Sequence, residues 1–327
     1  MLTRRAALTA LAGLAATREA RAQAPADRDF PNRPITIVVP YPAGGPVDVT
    51  ARLIAQSVGN SLGQPIAVDN RGGGAGVIGT VAAQHAEPDG HTLILGTNQT
   101  HATNQSLLKN CPYDAVKDFA AVAGIADIAH VLAVRHGLEA ADVGALVRLA
   151  KKSPGELNYA STGIGSASHL AAELFKVRAG VELQHVPFRG SAPMTTELLA
   201  GRLDLTFATL PSVISYIDAG VIRALAVASP KRAARLPDLP TLAEAGVPGV
   251  EADAWFALFA PAKTPAATIQ KLYCAVSAAF TTEAAAQALA ALGMTLALRT
   301  PAELTAWLPG EVAKWAGVIR TAGLVAE

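Results

Sequence analysis

The chain has 327 residues, 51 % of them hydrophobic and 16 % charged. That excludes disorder over most of its length and suits two domains, at roughly 100–200 residues each. Lys+Arg is 27 and Asp+Glu is 26, a net charge of +1 with the basic residues scattered, so there is no electrostatic footprint for nucleic acid.

Residues 1–24 read as an address. Arg4-Arg5 precedes the apolar run 6–16, and Ala20-Arg21-Ala22 follows as an A-x-A cleavage pattern. This is an export signal, too short for a bilayer span of about 20 residues. Cleavage is expected near Ala22 or Ala24, with Gln23 the preferred new N-terminus and the periplasm the destination. Thr3-Arg4-Arg5 with Leu8 leaves the twin-arginine route open beside general export. Removing the segment takes away four arginines and Glu19, leaving 23 basic and 25 acidic residues. The only cysteines are Cys111 and Cys274. Their pairing cannot be deduced from spacing, and no Cys/His spacing fits a metal site.

In the mature chain, 35–39 is a nearly all-apolar run that suits a strand buried on both faces. It enters the loop 40–46, then a helix over 48–58 with Val49, Leu53 and Ile54 on one side. A strand at 66–68, a Gly-rich loop, a helix near 77–85, the turn Pro88-Asp89-Gly90 and a strand at 92–95 follow. This βαβαβ rhythm predicts an α/β fold with a parallel sheet. The rhythm resumes with helices at 142–151, 166–178, 191–200 and 211–219, alternating with strands at 157–160, 183–186, 204–208 and 223–228. The tail carries helices at 265–280, 283–292 and 301–321.

One internal echo stands out. Val39-Pro40-Tyr41-Pro42-Ala43-Gly44-Gly45-Pro46 matches Val186-Pro187-Phe188-Arg189-Gly190-Ser191-Ala192-Pro193. Each copy follows a strand and precedes a helix. Ligands of parallel α/β sheets sit outside the carboxyl ends of the strands. Small residues there let backbone N–H groups approach a ligand, and a helix N-terminus favours an anion. Two such loops predict two lobes closing on one small anion.

These segments resemble the Bug family, extracytoplasmic solute receptors of tripartite tricarboxylate transporters. The resemblance rests on Tyr41-Pro42-Ala43-Gly44-Gly45-Pro46-Val47-Asp48 and on 62–76, which ends Asp69-Asn70-Arg71-Gly72-Gly73-Gly74-Ala75-Gly76. It continues through Pro88-Asp89-Gly90-His91-Thr92-Leu93, Thr100-His101-Ala102 with Asn104, and Pro112-Tyr113-Asp114 with Lys117-Asp118-Phe119. Residues 186–193, Leu199-Ala200-Gly201-Arg202-Leu203-Asp204 and Phe259-Ala260-Pro261 complete it. The resemblance implies a two-lobed α/β periplasmic-binding-protein fold of the Venus flytrap, type II, kind. Lobe 1 would be 29–130 plus 254–327 and lobe 2 would be 131–253, with crossovers near 128–133 and 249–255. It further implies a small carboxylate ligand gripped by the two loops, partly through water, and delivery to integral membrane transporter subunits. No cofactor, metal or nucleic acid is implied, and a monomer is expected.

The expected ligand-binding residues start with Tyr41, Ala43, Gly44 and Gly45 of the first loop. Asp48 is either a helix cap or a ligand contact. Thr97, Asn98 and His101 belong to a polar run of five at the end of a strand. Ser161, Thr162, Ser166 and His169 surround the next strand–helix turn, where Ser166 can equally cap the helix. Arg189, Gly190 and Ser191 form the second loop; Arg189 can pair bidentately with an acid or face solvent. Asp204 is implicated near the ligand by the resemblance and reads otherwise as a turn aspartate. Tyr41, Phe188 and Trp255 either line the cleft or belong to the core.

Two enzyme readings compete. Gly74-Ala75-Gly76-Val77-Ile78-Gly79 fits G-x-G-x-x-G, but it follows the second strand and no acid lies about 20 residues on. Gly165-Ser166-Ala167-Ser168 lacks the second glycine of a nucleophile elbow. The expectation is therefore a receptor and not an enzyme, with a ligand sensor feeding a signalling pathway as the alternative.

Overall fold

Short buried strands separated by amphipathic helices build two sheets, each with helices packed against it. The structure is a computed structural model that describes residues 30–324; the expected export signal lies outside these. The first sheet contains β1 (Ile35–Val39), β2 (Ile66–Asn70), β3 (Thr92–Thr97), β4 (Phe119–Ile128), β10 (Ala254–Pro261) and β11 (Met294–Leu296). Its order is β11-β4-β10-β3-β1-β2, with β1 parallel to β2 and β3, and β10 antiparallel to β3 and β4. The second sheet contains β5 (His130–Arg135), β6 (Asn158–Ser161), β7 (Gln184–Pro187), β8 (Leu205–Thr209) and β9 (Ile222–Val227), in the order β7-β6-β8-β5-β9. Only Ala129 separates β4 from β5, so the chain passes between sheets there, and it returns before β10.

The helix α1 (Pro46–Leu62) begins at Pro46, two residues earlier than its apolar spacing suggests. Proline suits the first helical position because its missing N–H would have no partner there. Val47, Ala51, Ile54 and Val58 recur at three- and four-residue steps and are buried against the first sheet. Gly63, at φ 66°, ends the helix in the left-handed region. The remaining helices are α2 (Val77–Gln84), α3 (Asn104–Leu107), α4 (Val143–Lys152), α5 (Ala167–Ala179), α6 (Ser191–Leu199) and α7 (Leu210–Asp218). They are followed by α8 (Ala266–Phe280), α9 (Glu283–Ala291) and α10 (Pro301–Thr321). α8 and α10 return to pack on the first sheet. A single turn of π-helix, Gln99–Thr103, joins β3 to α3.

β4, β5 and β10 have no counterpart in the rhythm read from sequence. The stretch 119–128, Phe-Ala-Ala-Val-Ala-Gly-Ile-Ala-Asp-Ile, is apolar without alternation because it is nearly all buried. β10 is buried at all eight positions. At the crossover Arg299 pairs with both carboxylate oxygens of Asp127 and lies 4.5 Å from the Trp307 ring. Cys111 and Cys274 are free thiols.

Candidate functional site

Lobe 1 brings the β1 loop to the head of α1. Gly44 takes φ 85°, which a side chain would resist, and its N–H donates to Asp48 Oδ2 at 3.0 Å. Asp48 is buried and also accepts from Arg52 at 3.0 Å. Burial disfavours its charge, but the hydrogen bonds from Arg52 and Gly44 outweigh this and hold its carboxyl below the usual range. Asn70 Nδ2 donates to the Tyr41 carbonyl, bracing the loop from behind. The Tyr41 hydroxyl donates to Gln99 Oε1 at 2.9 Å and lies 3.0 Å from Thr97 Oγ1. Burial raises its pKa, so it stays a donor.

Lobe 2 contributes two more helix heads. Ser166 caps α5, its hydroxyl accepting from the His169 N–H. Gly190, at φ 109°, opens α6, and its N–H donates to the Thr162 carbonyl. The lobes meet here. A Cβ on Gly45 would lie 3.3 Å from Ser191 Oγ, and one on Gly190 would lie 3.6 Å from Pro42 Cδ. A Cβ on Gly165 would overlap Leu107 Cδ2 at 2.0 Å. Gln99 Nε2 donates to the Ile164 carbonyl at 3.0 Å, and Thr103 Oγ1 to the Gly165 carbonyl at 2.9 Å. The cleft is closed.

Between the loops lies a cavity of about 80 Å³. The N-termini of α1, α5 and α6 converge on it, and each carries the positive end of a helix dipole. Arg189 is the one charged side chain on the wall, and no acidic side chain lines it among the described residues. Asn98 Nδ2 and His130 Nδ1 are buried without hydrogen-bond partners. Burial pushes the His130 pKa down to about 4, so the ring is neutral.

A family profile described as "Tripartite tricarboxylate transporter family receptor" matches residues 50–324. The chain belongs to this receptor family. Protein BugT of Bordetella pertussis is 37 % identical over 302 residues, covering 92 % of this chain and 93 % of that protein. The structure of Rpa4515 from R. palustris with adipate is similar at a TM-score of 0.89, with 38 % identity, over 91 % of this chain and 100 % of that one. MatC from Rhodopseudomonas palustris with bound malate gives a TM-score of 0.84 and 33 % identity, over 89 % and 100 % of the two chains.

In this tripartite tricarboxylate receptor, Tyr41, Ala43, Gly45, Thr97, Asn98, Thr162, Ser166, Arg189, Gly190 and Ser191 line the cavity. Six expected residues do not. Gly44 spends its N–H on Asp48 and faces a neighbouring groove, and Asp48 is turned inward to that bond and to Arg52. His101 points into the lobe 1 core, stacked on Phe259 at 4.1 Å between centroids. Burial pushes its pKa down to about 3. Ser161 bonds His185 at 2.7 Å. His169 accepts from the Gly165 N–H and stacks on His185 at 4.3 Å. Asp204 precedes β8 at the end opposite the cleft, where it pairs with Arg135 at 3.0 Å and accepts from the Asn158 N–H. A residue before a parallel strand cannot reach a site beyond that strand's carboxyl end.

Trp255 is core, its indole N–H donating to Glu311, and Phe188 packs in lobe 2. The wall also contains Gln99, His130, Thr209, Ala254 and Phe256, which the sequence reading omitted. Gln99 belongs to the polar run 97–101 at the end of β3. Ala254 and Phe256 follow from strand alternation once β10 is known, with Trp255 facing the other way.

Proposed function

We propose that this receptor captures a small organic acid in the interlobe cleft and delivers it to the membrane subunits of a tripartite tricarboxylate-type transporter. The observation that carries the reading is the convergence of three helix N-termini on a closed cavity whose wall has Arg189 and no acid. Such a wall stabilises a carboxylate and repels a cation. The relatives solved with adipate and with malate support the same ligand class. The lobes divide as 29–130 plus 254–327 and 131–253, so that closing brings the two loops together around the acid. The protein holds its ligand without converting it. It works in the periplasm after the export signal is cleaved behind Ala22, and mass analysis of the exported protein should find Gln23 first.

The test is a thermal-shift screen of the mature protein against carboxylates, followed by calorimetry on the hits. Binding to the native state raises the melting temperature by mass action. One acid should bind per chain and be recovered unchanged. A screen with no carboxylate hit, or turnover of the bound acid, would overturn this reading.

A further inference from the structure

We propose that His169 is a positioning residue for ligand capture: its Nδ1 lone pair fixes the Gly165 peptide on which the lobes meet, and a proton on that nitrogen loosens the grip on the bound acid. The inference rests on the carboxylate reading and adds how the receptor lets its ligand go.

Gly165 stands in the turn between β6 and α5, and its peptide groups are used on both sides. Towards lobe 1, its carbonyl accepts from Thr103 Oγ1 at 2.9 Å, and the neighbouring Ile164 carbonyl accepts from Gln99 Nε2 at 3.0 Å. Within lobe 2, its N–H donates to His169 Nδ1 at 3.1 Å. A main-chain N–H can only donate, so Nδ1 is the unprotonated ring nitrogen. The ring is 4 % exposed and stacked on His185 at 4.3 Å between centroids, with Tyr159 parallel to it at 6.5 Å. Packed this way, it cannot swing aside.

The charges around the ring come from several elements. Glu173 and Lys176, on the same helix, act on it in opposite directions and pair with each other at 2.8 Å. β7 presents His185, whose Nε2 lies 2.7 Å from Ser161 Oγ, and β6 presents Tyr159, whose hydroxyl donates to Glu173. β8 carries no titratable side chain. α10 also packs on α5, but its Glu303, Lys314 and Arg320 are exposed and its Glu311 bonds Trp255. Lobe 1 meets the turn with Gln99, Thr103 and Leu107, which do not titrate. Burial lowers the His169 pKa, so at neutral pH the ring is uncharged and the bond is made.

Protonation replaces the lone pair with an N–H that faces the Gly165 N–H. Two donors cannot share a bond, and the peptide must turn to find another acceptor. Turning it withdraws the Gly165 and Ile164 carbonyls from Thr103 and Gln99. It also carries Thr162 and Ser166, which flank the turn, off the cavity wall. With the lobes apart, the turn is free of lobe 1 and accommodates the charged ring. The closed form therefore binds the proton less well than the open one. Affinity falls as pH drops below the open form's pKa.

Nitrogen-15 NMR of the mature protein tests the bond itself. At pH 8 a coupling should connect the Gly165 amide nitrogen to His169 Nδ1, and it should vanish as that ring protonates. Calorimetry tests the effect on capture, with adipate and malate as probes and, failing both, the tightest hit of the carboxylate screen. Affinity should fall about threefold to tenfold from pH 8 to pH 5.5, one unit below the ordinary imidazole pKa of about 6.5. His169→Asn, which offers a carbonyl oxygen that does not protonate, should bind within a few-fold of the unmutated protein at pH 8 and keep that affinity at pH 5.5. His169→Phe, with no acceptor, should bind weakly at both; if it misfolds, the asparagine variant and the coupling decide. No coupling at pH 8, or an asparagine variant that weakens with acid as steeply as the unmutated protein, would overturn the proposal. A screen with no hit overturns the ligand reading instead, and shows itself as absent binding at pH 8 as well as at pH 5.5.

Discussion

The two echoing loops, 39–46 and 186–193, share a sequence pattern and are braced in different ways. The first is held by side chains of its own lobe: Asp48 takes the Gly44 N–H, and Asn70 takes the Tyr41 carbonyl. The second is held by main chain, through Phe188 N–H to the Ser161 carbonyl and Gly190 N–H to the Thr162 carbonyl. The glycine facing the other lobe also differs. Gly45 sits at φ −86°, open to any residue, whereas Gly190 sits at φ 109°, a region that favours glycine. Lobe 2 adds a charge, Arg189; lobe 1 adds none to the wall. One pattern therefore provides the same small, donor-rich surface on two different supports.

The largest expected effect is at Gly190. Gly190→Val forces a branched side chain into φ 109° beside Pro42. Chemical unfolding should show a loss of about 1–3 kcal/mol, and calorimetry should detect no binding. Gly45→Val separates binding from folding. Its backbone is unstrained, so the unliganded melting temperature should stay within a few degrees, while crowding against Ser191 cuts affinity about tenfold to hundredfold. Full affinity in a folded Gly45→Val protein would make the first loop a mere turn.

Arg189→Gln should weaken binding about tenfold, with less salt dependence than the unmutated receptor, because an exposed cation is screened by ions. The smallest effect belongs to the lobe 1 brace. Asp48 has its carboxyl held below the usual range, so its contribution is present above the unfolded pKa and lost as pH falls through the folded one. Asp48→Asn should cost on the order of 1 kcal/mol at neutral pH. Melting curves should show that difference shrinking below about pH 4.

Much of this was legible in the sequence because local patterns carried it. The helix over 301–321 and the βαβ rhythm of both lobes follow from apolar spacing and Gly/Pro punctuation. β4 and β10 escaped because full burial erases alternation. The cavity-lining His130 escaped with β5, a strand that only Ala129 separates from the end of β4. Asp204 and His169 were misplaced for a different reason. The first sits at the wrong end of its strand, and the second turns back on its own helix start, facts that only three-dimensional placement supplies.

The central claim is that both loops hold one carboxylate ligand at once, and a crystal structure of the mature protein with a bound acid tests it most directly. The account predicts carboxylate oxygens within about 3 Å of a backbone nitrogen in 43–46 and of one in 189–192, with the lobes closed as described. An acid held by one lobe alone, with the other loop turned away, would contradict it.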